Sequence, residues 1–318
     1  MTDDPQRTEC PGCRSPRIET LESIRANELI DLYRKSAKMD VATYFVGVTT
    51  VHLQRCAACD LRFYDPPCAG DGAFYEQLQK FDWYYNEEKA EYEFARGFVS
   101  ADCNVLDVGC GSGAFHSWLP PSVTYVGLEF NDEAIRKASS RGLHVVKQSV
   151  QDHAAQFPGK YDVVCAFQVL EHIPEPESFF RACIDALTPT GKLILTVPAE
   201  DSFLALATNL YLNMPPHHAL RWSDLALRNI ATREGLNVMQ IWHEPVATYH
   251  DQMRANVLAK HFFTRWRGKP RLIETDLVDK LLGRLLRIHA IRDACASRAA
   301  AHVHNAQFGH TVGLVASR

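Results

Sequence analysis

The run Val105-Leu106-Asp107-Val108-Gly109-Cys110-Gly111-Ser112-Gly113 restricts the fold more than any other stretch of the chain. It reads as a short buried strand entering a glycine-rich turn and then a helix. Glycine there admits backbone angles closed to other residues and lets N–H groups approach a ligand that side chains would fend off. From residue 104 onward, apolar runs alternate with helical patterns. The expected strands are 104–108, 124–129, 144–148, 161–167 and 192–198, then a sixth at 237–244 and a last at 309–315. Helices are expected at 114–119, 132–141 and 178–187, with a connecting helix at 202–212 and another starting at Ser223. Short Val, Leu and Ile runs separated by helices indicate a parallel sheet covered on both faces. Ligands of such sheets bind outside the carboxyl ends of the strands, so residues just after strands carry the information.

At 318 residues and 46% hydrophobic, the chain has room for a large core and an appendage. Its first residues lack an apolar leader, and no window approaches the length of a spanning helix. A cytoplasmic protein without a transmembrane segment is expected. Its ten cysteines should then be metal ligands or buried thiols. The net charge of −4 conceals an uneven distribution: residues 254–298 hold eleven Lys/Arg against four Asp/Glu. A solvated helical face explains this, or attraction of an anionic partner. No reader motif accompanies the charge, so nucleic acid is not expected as a partner.

Cys10-Pro11-Gly12-Cys13 and Cys56-Ala57-Ala58-Cys59 form two CxxC knuckles. Each puts two sulfurs on one turn, and two turns complete a tetrahedral shell suited to structural Zn²⁺. Four thiolates leave no open position for catalysis. Between the knuckles lie a helical stretch at 24–38 and a β-like run at 43–53. Cys68, Cys103, Cys110, Cys165, Cys183 and Cys295 lack ligand spacing and read as small apolar residues.

Asp107 lies one residue inside the end of its strand, where it can order the glycine loop. Glu129 closes the next strand, where an acid accepts hydrogen bonds from ribose hydroxyls. The loop lacks the three-glycine spacing of the dinucleotide fingerprint, and the fourth strand runs into Phe167-Gln168-Val169-Leu170-Glu171-His172-Ile173.

On the Leu-Asp-Val-Gly-Cys-Gly-Ser-Gly loop, Glu129, Gln148-Ser149-Val150-Gln151-Asp152 and Val169-Leu170-Glu171-His172-Ile173, the chain resembles class I S-adenosylmethionine-dependent methyltransferases. The CxxC pairs and Phe63-Tyr64-Asp65-Pro66-Pro67 resemble a zinc-ribbon-bearing branch linked to sugar, polysaccharide and natural-product methylation. The resemblance implies an α/β, Rossmann-like, seven-stranded, mostly parallel sheet whose last strand enters antiparallel beside the sixth. It implies an N-terminal zinc ribbon (1–70), a helical cofactor-covering segment (71–103), the methyltransferase domain (104–250 and 306–318) and a helical insertion (251–305). It implies cofactor contacts from Asp107, Gly109, Cys110, Gly111, Gly113, Glu129, Phe130, Phe167 and Gln168. Tyr84 and Tyr85, from a helix expected over 75–98, would close over the cofactor. Ser149 and Val150 fall where the family reads adenine. Ser149 stands in place of the family's acid there, with Asp152 as a substitute.

Methyl transfer to a hydroxyl needs an aligned acceptor and a base, for which histidine suits neutral pH. The candidates are His172 and the pair His217 and His218 in Met214-Pro215-Pro216-His217-His218, whose prolines stiffen the turn. Histidines that merely support a turn are the alternative. Leu277, Val278, Leu281, Leu282 and Leu285 form a stripe suited to core packing or a homodimer contact. Arg284, Arg287 and Arg292 beside it suggest a phosphate-bearing acceptor. The readings are O-methylation of a small or carbohydrate-type acceptor, C- or N-methylation of a nucleotide-activated deoxysugar, or a cofactor-binding scaffold without catalysis.

Overall fold

The computed structural model describes residues 7–78, 89–265, 271–274, 277–304 and 306–318. In chain order the elements are β1 (Ile18–Arg25), α1 (Ala26–Ala37), β2 (Thr50–Cys56), β3 (Arg62–Asp65), α2 (Gly72–Leu78), α3 (Ala90–Arg96), β4 (Asn104–Val108), β5 (Thr124–Leu128), α4 (Asp132–Ser140) and β6 (Val145–Val146). There follow α5 (Val150–Gln156), β7 (Tyr161–Phe167), α6 (Pro176–Ala186), β8 (Leu187–Pro198), β9 (Leu220–Arg221), α7 (Asp224–Arg233), β10 (Asn237–Pro245), α8 (Asp251–Thr264), α9 (Leu277–Leu285), α10 (His289–Ala300) and β11 (Phe308–Ser317).

The large sheet runs β10-β11-β8-β7-β4-β5-β6. Its β4–β5, β5–β6, β4–β7 and β7–β8 pairs are parallel, and β11 is antiparallel to both neighbours. This is the seven-stranded Rossmann-like sheet expected from the sequence. Strands β4, β7 and β8 bury residues on both faces, among them Val105, Leu106, Val163, Val164, Ile194 and Leu195. Helices start where short polar side chains take the first amide: Asn131 accepts from Ala134 ahead of α4, Ser149 from Asp152 ahead of α5, and Ser223 from Ala226 ahead of α7. Strand order reverses between β4 and β7, so the glycine loop and the segment after Phe167 flank the crevice where such sheets take ligands.

A second, antiparallel sheet runs β1-β2-β3-β9. Its fourth strand comes from Leu220 and Arg221, pairing with Phe63 and Arg62 of β3. The N-terminal segment therefore shares its sheet with the chain that follows β8. Its packing is shared too: Cys10, Cys56, Leu61 and Phe63 lie in one apolar cluster with Leu106, Val164, Leu195 and Trp222. At the joint, the buried Glu200 pairs with Arg62 and, at 2.7 Å, with Arg221. A separate cluster packs α1 against β2, α2 and Met214. There Tyr33 donates its hydroxyl to the carbonyls of Tyr211 and Met214, and Tyr64 donates to that of Asn213. These bonds position the segment leading into His217 and His218.

Several elements differ from expectation for local reasons. The helix expected over 75–98 is α2 and α3 at its described ends; Tyr84 and Tyr85 lie outside the described residues. The stretch at 24–38 is helical only from Ala26, because Ile24 and Arg25 pair with Val51 and Thr50. The run at 43–53 begins as a 3₁₀ turn, Ala42–Phe45, and extends only from Thr50. Residues 114–119 make a single 3₁₀ turn, Ala114–Trp118, that Pro120 and Pro121 cannot extend. The helix at 202–212 is two 3₁₀ turns, Phe203–Leu206 and Tyr211–Asn213, separated by Asn209 at a left-handed φ of 57°. Asn209 is anchored by bonds to the backbone of Leu272 and Glu274. The strand at 144–148 shortens to Val145–Val146, and that at 192–198 starts earlier, where Leu187 pairs with Tyr161.

In the insertion, α10 packs on α8 through Leu258, Ala259, Cys295 and Ala299. The leucine stripe of α9 does not enter this core: Leu277 is 75% and Leu281 61% exposed. Lys260, from the basic region, is compensated by Glu274 and Asp279. Among the described residues, no helix is long and apolar enough to cross a membrane.

Glu200→Ala strands the buried guanidinium of Arg221 and the half-buried one of Arg62 at the joint. We expect a loss of about 3–5 kcal/mol, read by equilibrium urea unfolding as a single transition, because both sheets share one core. Two separated transitions would show that the sheets fold independently.

Candidate active site

The loop after β4 has the conformation its glycines allow. Gly109, Gly111 and Gly113 take φ of 73°, 55° and 78°. A Cβ at Gly109 would lie 2.5 Å from Val169, and one at Gly113 would strike Leu143. The absent side chains thus leave a backbone cradle tight against the segment after β7. Across it, Glu129 accepts from the Gly111 N–H at 2.9 Å with one oxygen and from the Phe130 and Asn131 N–H groups at 2.8 Å with the other. The carboxylate is locked toward the loop and keeps one lone-pair site for a further donor such as a ribose hydroxyl. Phe130 is exposed beside it, while Cys110 packs its thiol against Gly127.

Asp107 is buried under the loop and accepts from the Tyr125 hydroxyl at 2.8 Å. Burial pushes its carboxyl up to about 7, an effect that the Tyr125 bond moderates. Ser149 caps α5 and donates its hydroxyl to Asp152 at 2.6 Å, so the expected serine and its substitute acid form one unit. Val150 is buried behind them. Phe167 packs against Tyr92 and Phe115. Gln168, at a left-handed φ of 57°, turns its amide to Glu91 at 2.8 Å. These residues suit the cofactor implied by the resemblance: a side-chain-free cradle for its methionine and ribose portions, with a fixed acid for the ribose.

Glu91 was not anticipated from the sequence. Buried at the start of α3, it accepts from Gln168 and, at 2.5 Å, from Thr196, and lies 3.4 Å from Lys89. Burial raises the Glu171 carboxyl and the Tyr249 phenol, and the charge of Glu91 adds to both shifts. A second unanticipated group lies further along the same edge. Because β11 runs antiparallel, its first residues meet the ends of β8 and β10. His310 there sets Nδ1 2.7 Å from a Glu244 carboxylate oxygen, and His250 stacks edge-on against His310 at 4.3 Å. Burial and His310 bring His250 down to about 4. The side chain of Glu244 is 5% exposed and that of His310 31%.

The structure brings His172, His217 and His218 together, with ring centroids 4.4–5.0 Å apart. Nδ1 of His172 donates to the His217 carbonyl at 2.6 Å, that of His217 to the Leu212 carbonyl at 2.8 Å, and that of His218 to the Asn213 amide oxygen at 3.1 Å. His217 and His218 are 7% and 6% exposed. Burial lowers all three, His172 to about 4.

At the opposite end of the N-terminal sheet, the Sγ atoms of Cys10 and Cys59 are 3.6 Å apart and those of Cys13 and Cys56 3.5 Å, and all four lie within 4.8 Å of one another. The Gly12 N–H donates to Cys10 Sγ and the Ala58 N–H to Cys56 Sγ, both at 3.4 Å. Spacing and donors fit a tetrahedral ion held by thiolates.

A family model described as a methyltransferase domain matches residues 83–241, half of the chain. The chain belongs to this family, the class I S-adenosylmethionine-dependent methyltransferases. Over 99 residues it is 36% identical to the ubiquinone biosynthesis O-methyltransferases of Escherichia coli O127:H6 and Escherichia fergusonii. That match covers 29% of the chain and 41% of each relative, so the chain spans well under half the length of these enzymes. A crystal structure of an S-adenosylmethionine-dependent methyltransferase from Archaeoglobus fulgidus shares the fold, with a TM-score of 0.52 at 17% identity, over 78% of this chain and all of that one.

Asp107 makes stability depend on pH in a defined sense. Its folded value near 7 lies above the roughly 3.9 of an unfolded aspartate, so between these the native state holds a proton that the unfolded chain has lost. Its contribution therefore falls as pH rises from 4 to 7. Asp107→Asn should abolish that fall, gaining about 3 kcal/mol on wild type between pH 5 and pH 8 in urea unfolding. A difference independent of pH would refute the shift.

Proposed function

We propose that the chain transfers the methyl group of S-adenosylmethionine to a hydroxyl of a small, carbohydrate-type acceptor at the carboxyl edge of the large sheet. In this reading, His310 removes the proton. The observation that carries it is the Glu244–His310 pair: a buried carboxylate oxygen lies 2.7 Å from Nδ1 of the more open imidazole, where it can balance an imidazolium charge. His172, His217 and His218, put forward for the base from sequence, are enclosed with Nδ1 atoms bound to carbonyl oxygens, so the role passes to the more open histidine.

The cofactor supplies a methyl group on a positively charged sulfur, and its transfer needs only an aligned oxygen lone pair and a place for the hydroxyl proton. The glycine loop and Glu129 hold the methionine and ribose portions, and Ser149 with Asp152 borders the adenine. Phe167 and Gln168 border the methyl group. Glu91, held by Thr196 and Gln168, sets the wall between cofactor and acceptor. Tyr249 and His250, at the entry to the insertion, continue a hydrogen-bonding surface suited to a polyhydroxylated acceptor. When His310 takes the proton, Glu244 balances the imidazolium charge. The names of the curated relatives favour oxygen over carbon or nitrogen as the methylated atom. The four cysteines hold a structural Zn²⁺, supported by their spacing and N–H···S bonds.

Radiolabelled methyl transfer from S-adenosylmethionine to a panel of free and nucleotide-linked sugars tests the reading. Glu129→Ala should weaken cofactor binding at least tenfold by calorimetry. His310→Asn should reduce turnover by about 10²–10⁴-fold and leave cofactor affinity unchanged. Tight cofactor binding with no methyl acceptor in the panel would favour the scaffold, and wild-type turnover in His310→Asn would remove the base.

A further inference from the structure

The histidine trio, with His217 and His218 buried and His172 partly so, is left without a role by this reading, and its geometry is specific. One nitrogen from each of the three rings lies within 4.8 Å of the others. Each Nδ1 is bonded to a carbonyl oxygen, which can only accept, so each Nδ1 carries the proton and Nε2 the lone pair of a neutral imidazole. The Nε2 atoms of His172 and His218 lie 3.8 and 4.0 Å from the same Glu171 oxygen. Glu171 is 1% exposed, and its other oxygen has no hydrogen-bond partner among the described residues. Phe74 and Tyr75 wall the cluster, with ring centroids 5.4–6.0 Å from His172 and His217. A buried carboxyl and three imidazoles thus meet in an enclosure walled by aromatic rings.

We propose that His172, His217 and His218, with Glu171 as the oxygen ligand, bind a divalent transition-metal ion of the zinc class. Metal-bound histidines commonly donate the other ring N–H to a carbonyl, which fixes tautomer and orientation, and all three rings here have such a bond. Three neutral imidazoles and one carboxylate suit a borderline ion in tetrahedral coordination. Ring nitrogens around such an ion sit about 3.4 Å apart, so small side-chain rotations close the shell. The Glu244, His250 and His310 group differs in setting: its imidazole His310 is partly exposed and already lies 2.7 Å from a carboxylate oxygen. The site also joins distant segments, since His172 follows β7 of the large sheet while His217 and His218 precede β9 of the small one. It requires neither cofactor nor acceptor and stands apart from the methyl-transfer reading.

Co²⁺ titration of the metal-stripped full-length chain separates this site from the cysteines, because only thiolates produce an intense near-ultraviolet charge-transfer band. Two equivalents should bind, one with that band and one with visible ligand-field bands alone; Zn²⁺ should displace both, with stoichiometry confirmed by elemental analysis. His172→Gln and His218→Gln should each lose the second equivalent and retain the thiolate band, which also reports that the variant is folded. A wild-type chain that takes up a single equivalent, all of it with the thiolate band, would overturn the proposal whether or not the variants fold. Retention of both equivalents in both variants would overturn it as well.

Discussion

Glu200 joins the two sheets, and the position of the candidate site depends on that joint. A buried carboxylate is tolerated only when cations are held against it, and here those cations come from Arg62 on β3 and Arg221 on β9. Both guanidinium groups reach it only if Arg221 lies opposite Arg62, the register the small sheet adopts. That register places Ala219, which donates to the Glu171 carbonyl and accepts from the Tyr64 N–H, and with it the two histidines that precede it. The ion triad, the short strand and the histidine cluster thus form one construction. The cysteine knuckles belong to it as well, since Cys10 and Cys56 pack in the same core as the large sheet.

The large sheet was legible because its physics is local. Parallel strands buried on both faces need continuous apolar runs, and the runs at β4, β5 and β7 start and stop close to where the pattern does. The glycine loop was legible for a related reason, as positive φ at three alternate positions leaves glycine as the unstrained choice. Elements of one turn or two residues were not. Strand β9 has no period to detect, and its pairing with β3 spans more than 150 positions. The 3₁₀ turns at Phe203–Leu206 and Tyr211–Asn213 replace a helix because Asn209 is tied to the backbone of the insertion, a tertiary constraint invisible in local propensity.

The candidate site divides along the same line. Asp107, Glu129 and Gln168 stand at strand ends, where a linear reading can find them. Glu91 is a single acid among the charges of α3, and only the meeting of Gln168 and Thr196 on it marks it out. Glu244 and His310 are separated by the whole insertion. One signal for them did exist. A last strand returning antiparallel beside the sixth brings its first residues to the end of its neighbour, and Gly309 permits the close approach, since a Cβ there would lie 2.7 Å from the Glu244 carbonyl oxygen.

The two histidine groups on this edge show how the same side chain is set to different chemistry. Where a carboxylate lies against the ring, as Glu244 does 2.7 Å from His310 Nδ1, a positive charge on the imidazole has a partner of opposite sign. Where neutral carbonyls accept the Nδ1–H, as for His172, His217 and His218, three rings within 5.0 Å of one another disfavour more than one positive charge. Burial adds to that penalty for His217 and His218. The trio thus sets its rings beside the Glu171 carboxyl, one oxygen of which lies 3.8 and 4.0 Å from Nε2 of His172 and His218. A single divalent ion would satisfy the imidazoles and the carboxylate together, which no proton on any one of them can do.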